Sequence, residues 1–198
     1  MGQSLPPVAV LVIHRIGDYD SWKRVFDDHQ SARRKASCLG HDVNRGADDP
    51  DMLYVYCPAT DADKLSAFVD NPELKGTMKE AGVQGAPSVR MMTPTAADFI
   101  PDEKLPGLIV IHRVENYDAW RKVYDHFDGY RKEHGIVGHA VNQELGNPNQ
   151  VIVYHQAREL ATLRAFVDSP ELKEAMQRGG VSGPPEIHFI ECVDIAEY

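Results

Sequence analysis

Apolar and polar residues follow one pattern twice along the chain. Val8 to Arg15 is a β-branched run of strand length, and a helical pattern follows it directly. Asp18 stands where the N-cap of that helix is expected, and Leu108 to Arg113 with Asn116 repeats the arrangement. Each helix has an apolar stripe that ends in an arginine, so we expect both stripes to pack on a sheet. The stripes are Tyr19, Trp22, Phe26, His29 and Arg33, and Tyr117, Trp120, Tyr124, Phe127 and Arg131.

The remaining elements are also predicted in pairs. A second strand, an Asp-Pro or Asn-Pro turn and a third strand form a hairpin, which two helices and a last strand follow. The order β-α-β-β-α-β is the ferredoxin-like arrangement, so the predicted class is α+β. The second strands begin near Gly40 and Gly138, the third span Met52 to Cys57 and Gln150 to His155, the helices end near Val69 and Val167 and at Met78 and Met176, and the last strands follow Pro87 and Pro185.

The two halves align with each other at an offset of 98 positions (112 − 14), and about two-fifths of the aligned residues are identical. A period of this length is too long for a solenoid unit and indicates a duplicated domain. We therefore predict a first repeat over 1–92, a linker over 93–107 that is rich in Pro, Asp and Ala, and a second repeat over 108–198.

One face of each predicted sheet has no helix to cover it. Val10, Val12, Tyr54 and Tyr56 include residues of this face, and they are too apolar to remain in water. A tandem repeat supplies a second such sheet at high effective concentration. The sequence therefore predicts two ferredoxin-like repeats packed sheet to sheet as an intramolecular pseudo-twofold α/β barrel, with a further homodimer left open.

Composition narrows the class of partner. The net charge is −9, and no cluster of Lys and Arg with interleaved aromatic residues occurs, so neither nucleic acid nor an anionic membrane is an expected partner. A small apolar or aromatic molecule fits better. The N-terminal stretch lacks a basic region before a short apolar run, and three cysteines suit reduced thiols, so we expect a cytoplasmic location.

The His-Arg pair after each first strand, the Asp-Tyr-Asp-x-Trp and Asn-Tyr-Asp-x-Trp helix starts, the Gly-His of each second strand and the Asn/Ser-Pro-Glu-Leu-Lys helices support a resemblance. The chain resembles the dimeric α/β-barrel superfamily, and within it the antibiotic-biosynthesis-monooxygenase-like proteins, as two fused copies. The resemblance covers nearly the whole chain apart from the linker and the last few residues. It implies the fold, while the activities in the superfamily range from cofactor-free oxygenases and polyketide cyclases to haem-degrading enzymes.

Duplicated histidines are the candidate catalytic residues. His14 and His112 close the first strands, and His41 and His139 open the second strands. A histidine beside a pocket can take a proton from a phenol or an activated methylene group near neutral pH. These side chains could instead bind backbone carbonyls or cap loops, and the sequence leaves both roles open.

Other duplicated polar and aromatic residues are candidates for binding the substrate. The resemblance implies that an Asn next to a Trp orients the substrate, and an Arg could anchor a carboxylate or phenolate. A core role for each Trp and a surface role for each Arg are the alternatives. The candidates are Asn44, Asn142, Trp22, Trp120, Tyr56, Tyr154, Arg33 and Arg131.

No metal or other cofactor is predicted, because the histidines lack a ligand spacing and no phosphate loop or nucleophile elbow occurs. The leading hypothesis is an enzyme of secondary or aromatic metabolism that performs cofactor-independent oxygenation or cyclisation of a polyketide-like molecule. A non-catalytic carrier of a hydrophobic ligand, a haem-binding or haem-degrading protein and a purely structural role in assembly are the rivals. Near-equivalent pockets in the two repeats would favour a carrier, whereas one degenerate pocket would favour catalysis in the other.

Overall fold

A computed structural model describes residues 5–101 and 103–198. Residues 1–4 of the N-terminal stretch and residue 102 of the predicted linker lie outside the described residues. The first repeat contains four strands and four helices in the predicted order. The ferredoxin-like minimum has one helix between the first and second strands and one between the third and fourth, and this repeat has two helices in each place. Its elements are β1 (Val8–Ile16), α1 (Tyr19–Asp28), α2 (Gln30–Lys35), β2 (Gly40–Gly46), β3 (Met52–Ala59), α3 (Ala62–Val69), α4 (Pro72–Glu80) and β4 (Val83–Asp98).

The second repeat has the same elements in the same order. The α+β class with two ferredoxin-like repeats, which the sequence predicts, is therefore confirmed. The elements are β5 (Pro106–Val114), α5 (Tyr117–His126), α6 (Asp128–Glu133), β6 (Ile136–Glu144), β7 (Asn147–Ala157), α7 (Leu160–Asp168), α8 (Pro170–Arg178) and β8 (Val181–Glu197).

The strand pairs within each repeat are antiparallel, and β1 and β5 are central in their repeats. In the first, β1 lies between β3 and β4, and β2 pairs with β3 in the register Val43 to Val55. In the second, β5 lies between β7 and β8, and β6 pairs with β7 with Val141 opposite Val153. The long strands β4 and β8 each change unit: among the described residues, 5–93 and 192–198 form one compact unit, and 94–101 and 103–191 form the other.

Helix caps predicted from sequence are present in the structure. The Asp18 carboxylate accepts a hydrogen bond from the Ser21 amide at 2.8 Å, and Asn116 accepts one from the Ala119 amide at 2.8 Å. These contacts satisfy amides that have no partner inside the helix. They start α1 and α5 directly after β1 and β5, which places each aromatic stripe against its own strand.

The first helix of each repeat is shorter than its apolar stripe predicts. The stripe from Tyr19 to Arg33 is divided between two helices, because His29 has ψ near 7° where an α-helix needs about −42°. Phe127 makes the same break in the second repeat, with ψ near 5°. The bend turns each arginine back along its stripe, so that the guanidinium lies over the aromatic ring seven positions earlier.

The predicted linker over 93–107 is mostly strand. β4 runs through Asp98, and β5 begins at Pro106, so only the segment between them is irregular in the described residues. Thr95 shows why, because its hydroxyl hydrogen-bonds the Val141 carbonyl and the Tyr117 hydroxyl within the second unit. A composition of Pro, Thr and Ala is typical of loops, but this segment belongs to a strand that lies next to β6.

The four residues from which the uncovered sheet face was predicted divide between the two faces. Val10 and Val12 pack with Trp22 on the face that the helices cover. Tyr54 and Tyr56 alternate with Leu53, Val55 and Cys57, which belong to that same helix-facing core. The tyrosines therefore lie on the other face, as predicted, because successive residues of a strand point to opposite sides.

Glycines mark the two places where a long strand ends against a neighbour. A Cβ on Gly40 would lie 2.4 Å from the Ala196 carbonyl oxygen, and one on Gly138 would lie 2.6 Å from the Phe99 Cα. Real Cβ contacts are never this short. The glycines at which the sequence predicts the start of the second strands are thus needed for close approach of the backbone.

Candidate functional site

A cavity of about 380 Å³ lies between the sheet and the helices of the first repeat. Its walls are almost entirely apolar and aromatic, as in typical small-molecule sites. Several side chains predicted for the site meet here: His14 at the end of β1, Trp22 on α1 and Arg33 on α2. The loop and helix that follow α3, with Asp70 and Lys75, form another part of the wall.

His14 reaches the cavity because it shares a strand face with Val10 and Val12. Its side chain is 4% exposed, and the ring centroid lies 5.7 Å from that of Trp22. Neither ring nitrogen has a hydrogen-bond partner in the structure. Burial lowers the pKa of His14 from 6.5 to about 4, so the imidazole is neutral at pH 7 and one nitrogen is free to accept a proton.

Trp22, Phe26 and Arg33 form a stack along one wall. The Trp22 and Phe26 rings are 4.7 Å apart, and the Arg33 guanidinium lies 3.6 Å from the centre of the Phe26 ring. Arg33 Nη1 donates to the Phe26 carbonyl oxygen at 2.6 Å, and Nε donates to the Tyr198 hydroxyl. Nη2 has no hydrogen-bond partner in the part of the chain that the structure describes, although the residue is only 4% exposed.

His29, Cys38 and Cys57 are among the cavity residues that were not predicted as site residues. His29, at the helix break, hydrogen-bonds Thr77 through Nε2 at 3.1 Å, and its Nδ1 is buried without a partner. Cys38 and Cys57 lie together in the wall, and a hydrogen bond between the thiols lowers the pKa of Cys38 and raises that of Cys57. The sequence contained a signal for two of these residues. His29 aligns with Phe127 and Cys57 aligns with His155, so the two repeats differ at these positions.

The equivalent space in the second repeat is only about 60 Å³. His112, Trp120 and Arg131 occupy the same positions as in the first repeat, and burial lowers the pKa of His112 to about 4 as well. The space is filled by larger neighbours. His155 packs with its ring centroid 5.4 Å from Phe166, and its Nε2 lies 3.5 Å from the Tyr124 hydroxyl.

His41 and His139 do not line either cavity. His41 Nδ1 lies 2.8 Å from the Tyr198 hydroxyl and Nε2 lies 2.9 Å from the Asp194 carboxylate, which also pairs with Lys23 at 3.1 Å. His139 contacts the Tyr124 ring edge-on at 5.7 Å. Burial lowers the pKa of both histidines.

The predicted asparagines and tyrosines also lie away from the cavities. The Asn44 amide donates to the Tyr54 carbonyl at 3.4 Å, and the Asn142 amide donates to the Ile152 carbonyl at 3.3 Å, each across a strand pair. Tyr56 is on the sheet face opposite His14, and Tyr154 holds the same position in its repeat. The structure thus brings together the His, Trp and Arg of each repeat, but not the Asn or Tyr.

Within residues 5–101 and 103–198, no group of three or more His, Cys, Asp or Glu side chains is arranged to hold a metal ion. In the same residues, every helix is too short or too polar to cross a bilayer.

Comparison with known proteins identifies the fold. No family model and no curated protein matches the sequence. Solved structures match along almost the whole chain. An anthrone oxidase-like protein has a TM-score of 0.72 at 13% identity, with 97% of this chain and 93% of the other covered. A protein of Lactobacillus acidophilus NCFM with a provisional monooxygenase assignment has a TM-score of 0.67 at 12% identity, with 97% and 96% covered.

A third neighbour, from Listeria monocytogenes 4b F2365, is an uncharacterised ferredoxin-fold protein related to antibiotic biosynthesis monooxygenases. Its TM-score is 0.57 at 7% identity, with 96% of both chains covered. These identities are too low to carry over chemistry, but the full-length match fixes the architecture. The chain has the fused, two-repeat dimeric α/β-barrel fold of antibiotic-biosynthesis-monooxygenase-like proteins, as the sequence predicts.

Proposed function

We propose that the first repeat binds a flat, mostly apolar aromatic molecule, of polyketide type, in its cavity and catalyses a cofactor-independent oxygenation or cyclisation. The observation that carries this proposal is the cavity of about 380 Å³ with the unpartnered, neutral imidazole of His14 in its wall. The volume is within the range of small-molecule sites. The names of the structural neighbours, a monooxygenase and an anthrone oxidase-like protein, support oxygenation.

His14 acts as the base in this proposal. Its pKa of about 4 keeps it unprotonated at pH 7, and the same burial makes the imidazolium unfavourable unless an anion forms beside it. Removal of a proton from a bound phenol or activated methylene group creates that anion. The resulting pair of opposite charges in an apolar site offsets the cost of charging the ring.

The apolar walls of the cavity would bind the substrate. They include Trp22, Phe26 and the aliphatic side chains of β1 and β3. They offer flat, apolar surfaces on which an aromatic ring can stack, and they exclude water from the anion. An oxygenation of this kind requires the carbanion to give an electron to dioxygen, so a dry cavity protects the reaction from a return of the proton. His112 has the same acid–base character, but about 60 Å³ leaves no room for a substrate.

The test is oxygen uptake by the purified, metal-stripped protein with anthrone and a panel of polycyclic phenols, followed by the mass of the product. We expect uptake of one dioxygen per substrate and a product heavier by one oxygen less two hydrogens, as in a quinone, because the second oxygen atom leaves as water with the two hydrogens. A product isomeric with the substrate, or lighter by one water and formed without uptake, would assign a cyclase instead.

A carrier for a hydrophobic ligand is the second candidate, because the same apolar cavity suits binding without conversion. Quenching of Trp22 fluorescence by compounds that are recovered unchanged would support it and would remove catalysis. Hemin titration tests the third candidate, since a Soret band shifted by the protein at a stoichiometry of one would indicate haem binding.

A further inference from the structure

The two buried arginines of the repeats differ in their electrostatic partners. Arg131 Nη2 lies 3.2 Å from the Asp128 carboxylate, three positions earlier on α6. The residue that aligns with Asp128 in the first repeat is Gln30, which carries no charge. No carboxylate among the described residues pairs with Arg33, and its Nη2 has no hydrogen-bond partner. The first repeat therefore holds a buried guanidinium that lacks a counter-ion.

An uncompensated buried charge is costly, since the group loses its hydration and gains nothing in return. Arg33 is held in place nonetheless, by the Phe26 carbonyl, the Phe26 ring and the Tyr198 hydroxyl. These contacts use two of the three guanidinium nitrogens and one face of the guanidinium plane. The third nitrogen remains available in a residue that lines the cavity.

Other polar groups of the cavity point to the same ligand chemistry. His14 has two buried ring nitrogens without partners, and His29 has one. Lys75 lines the wall on α4 as an exposed side chain. Asp70 also lines it, but this side chain is exposed and does not neutralise Arg33. Among the described lining residues, the buried charged group is the Arg33 guanidinium, and it favours a ligand whose acceptor oxygen carries negative charge.

We infer that the ligand of the first repeat is an aromatic acid, in which an apolar ring system carries one ionised carboxylate, or an equally acidic phenol or enol, that pairs with Arg33 Nη2. The inference rests on the cavity of the proposed function and adds the charge of the ligand. The ligand anion supplies, from the cavity side, the negative charge that Asp128 supplies to Arg131 in the second repeat. The ring system then extends along Trp22 and Phe26 toward His14.

The test compares the binding of 2-naphthoate with that of its methyl ester, which has nearly the same ring and shape but no charge. Binding is measured at neutral pH by calorimetry, and by Trp22 fluorescence in a Trp120→Phe background. Gln30→Asp is the decisive variant, because it leaves Arg33 in place and supplies the internal counter-ion found at Asp128. Arg33→Met removes the charge but keeps an unbranched side chain. Arg131→Met is the matched control in the second repeat.

We expect the wild-type protein to bind naphthoate at least about tenfold more tightly than the ester, as a charge-assisted hydrogen bond implies. Gln30→Asp and Arg33→Met should each weaken naphthoate binding by about tenfold and leave ester binding within about twofold. Arg131→Met should change neither. Circular dichroism of each variant shows that the fold is retained, and Gln30→Asp keeps the test valid if Arg33→Met does not fold.

Equal affinity for acid and ester, or naphthoate binding that Gln30→Asp does not change, would overturn the inference while leaving an apolar binding cavity and the proposed function intact. Binding of neither compound would remove both. This binding test is independent of the oxygen-uptake assay. Selective binding of the acid would support the inference even if the oxygen-uptake assay detected no turnover, and that absence of turnover would remove only the catalytic proposal.

Discussion

The first and second repeats place a histidine, a tryptophan and an arginine at equivalent positions, and yet one encloses about 380 Å³ and the other about 60 Å³. His14 and His112 have the same burial and the same lowered pKa. The difference in volume lies in the neighbouring residues. In the sequence alignment of the repeats, Cys57 corresponds to His155, and His29 corresponds to Phe127. Because the His, Trp and Arg positions are shared, the residues that differ between the repeats account for the difference in cavity volume.

The largest effect should separate the two histidines by activity. His14→Ala should reduce turnover by about a hundredfold or more, which is the usual contribution of a positioned base. His112→Ala should leave turnover within about twofold per folded molecule, because its repeat has no space for substrate. The assay is oxygen uptake or product formation on samples matched by circular dichroism. Equal losses in both variants would make the histidines structural and break the functional contrast.

Acid stability should show where the two repeats are alike. Below pH 6.5 the unfolded chain takes up protons that buried His14 and His112 accept only near pH 4, so the free energy of unfolding falls as the pH falls through this window. Each histidine accounts for up to about 3 kcal/mol of the loss.

His14→Gln and His112→Gln should each make stability less dependent on pH between 6.5 and 4, by similar amounts. The measurement is denaturant unfolding across that pH range, compared with wild type. An unchanged pH dependence in either variant would show that this histidine is protonated as easily in the folded protein as in the unfolded chain.

Exchange of two residues between repeats should move the cavity. Phe26→Tyr with Cys57→His recreates the packing of Tyr124 and His155, so binding of an aromatic ligand should weaken at least about tenfold. The reverse pair, Tyr124→Phe with His155→Cys, should open a second site and raise the stoichiometry in calorimetry from one to two. A stoichiometry of one in the reverse variant would assign the filling to other residues.

The smallest expected effect is a change in stability at a helix position that lines neither cavity. The two repeats have different residues at this position. Gly76, inside α4, faces Glu174 in the alignment, and a Cβ there would meet nothing within 4 Å. Gly76→Ala should therefore raise the free energy of unfolding by about 1 kcal/mol. Gly40→Ala is the contrasting control and should lower it by about 1 to 3 kcal/mol, because its Cβ would clash with the Ala196 carbonyl.

The duplication, the order of elements and the helix caps could all be predicted from the sequence, because each depends on local spacing. His14, Trp22 and Arg33 could be chosen as site residues because the pattern repeats them. The break at His29 could not be predicted, since no proline or glycine marks it and the sequence keeps an unbroken apolar stripe across it. The burial of Arg33 also escaped prediction, because its contacts with Tyr198 come from a residue 165 positions later in the chain.

The size of the cavity also could not be predicted. It depends on how Cys57 and His155 pack against side chains that are distant in the sequence, and a difference of a few atoms decides between space and contact. The strand character of residues 93–98 escaped prediction for another reason. Its hydrogen bonds to Tyr117 and Val141 come from tertiary pairing, which overrides a composition typical of loops.

The long strand β8 has a consequence for any attempt to divide the chain. Its last residues belong to the compact unit of the first repeat, where Asp194 and Tyr198 contact His41 and the Tyr198 hydroxyl holds Arg33. A gene fragment that encodes only residues 1–98 would yield a polypeptide without these two side chains. Co-expression of the two halves would therefore be required to restore the anchoring of Arg33, so that subunit complementation, and not simple truncation, is the way to study one repeat.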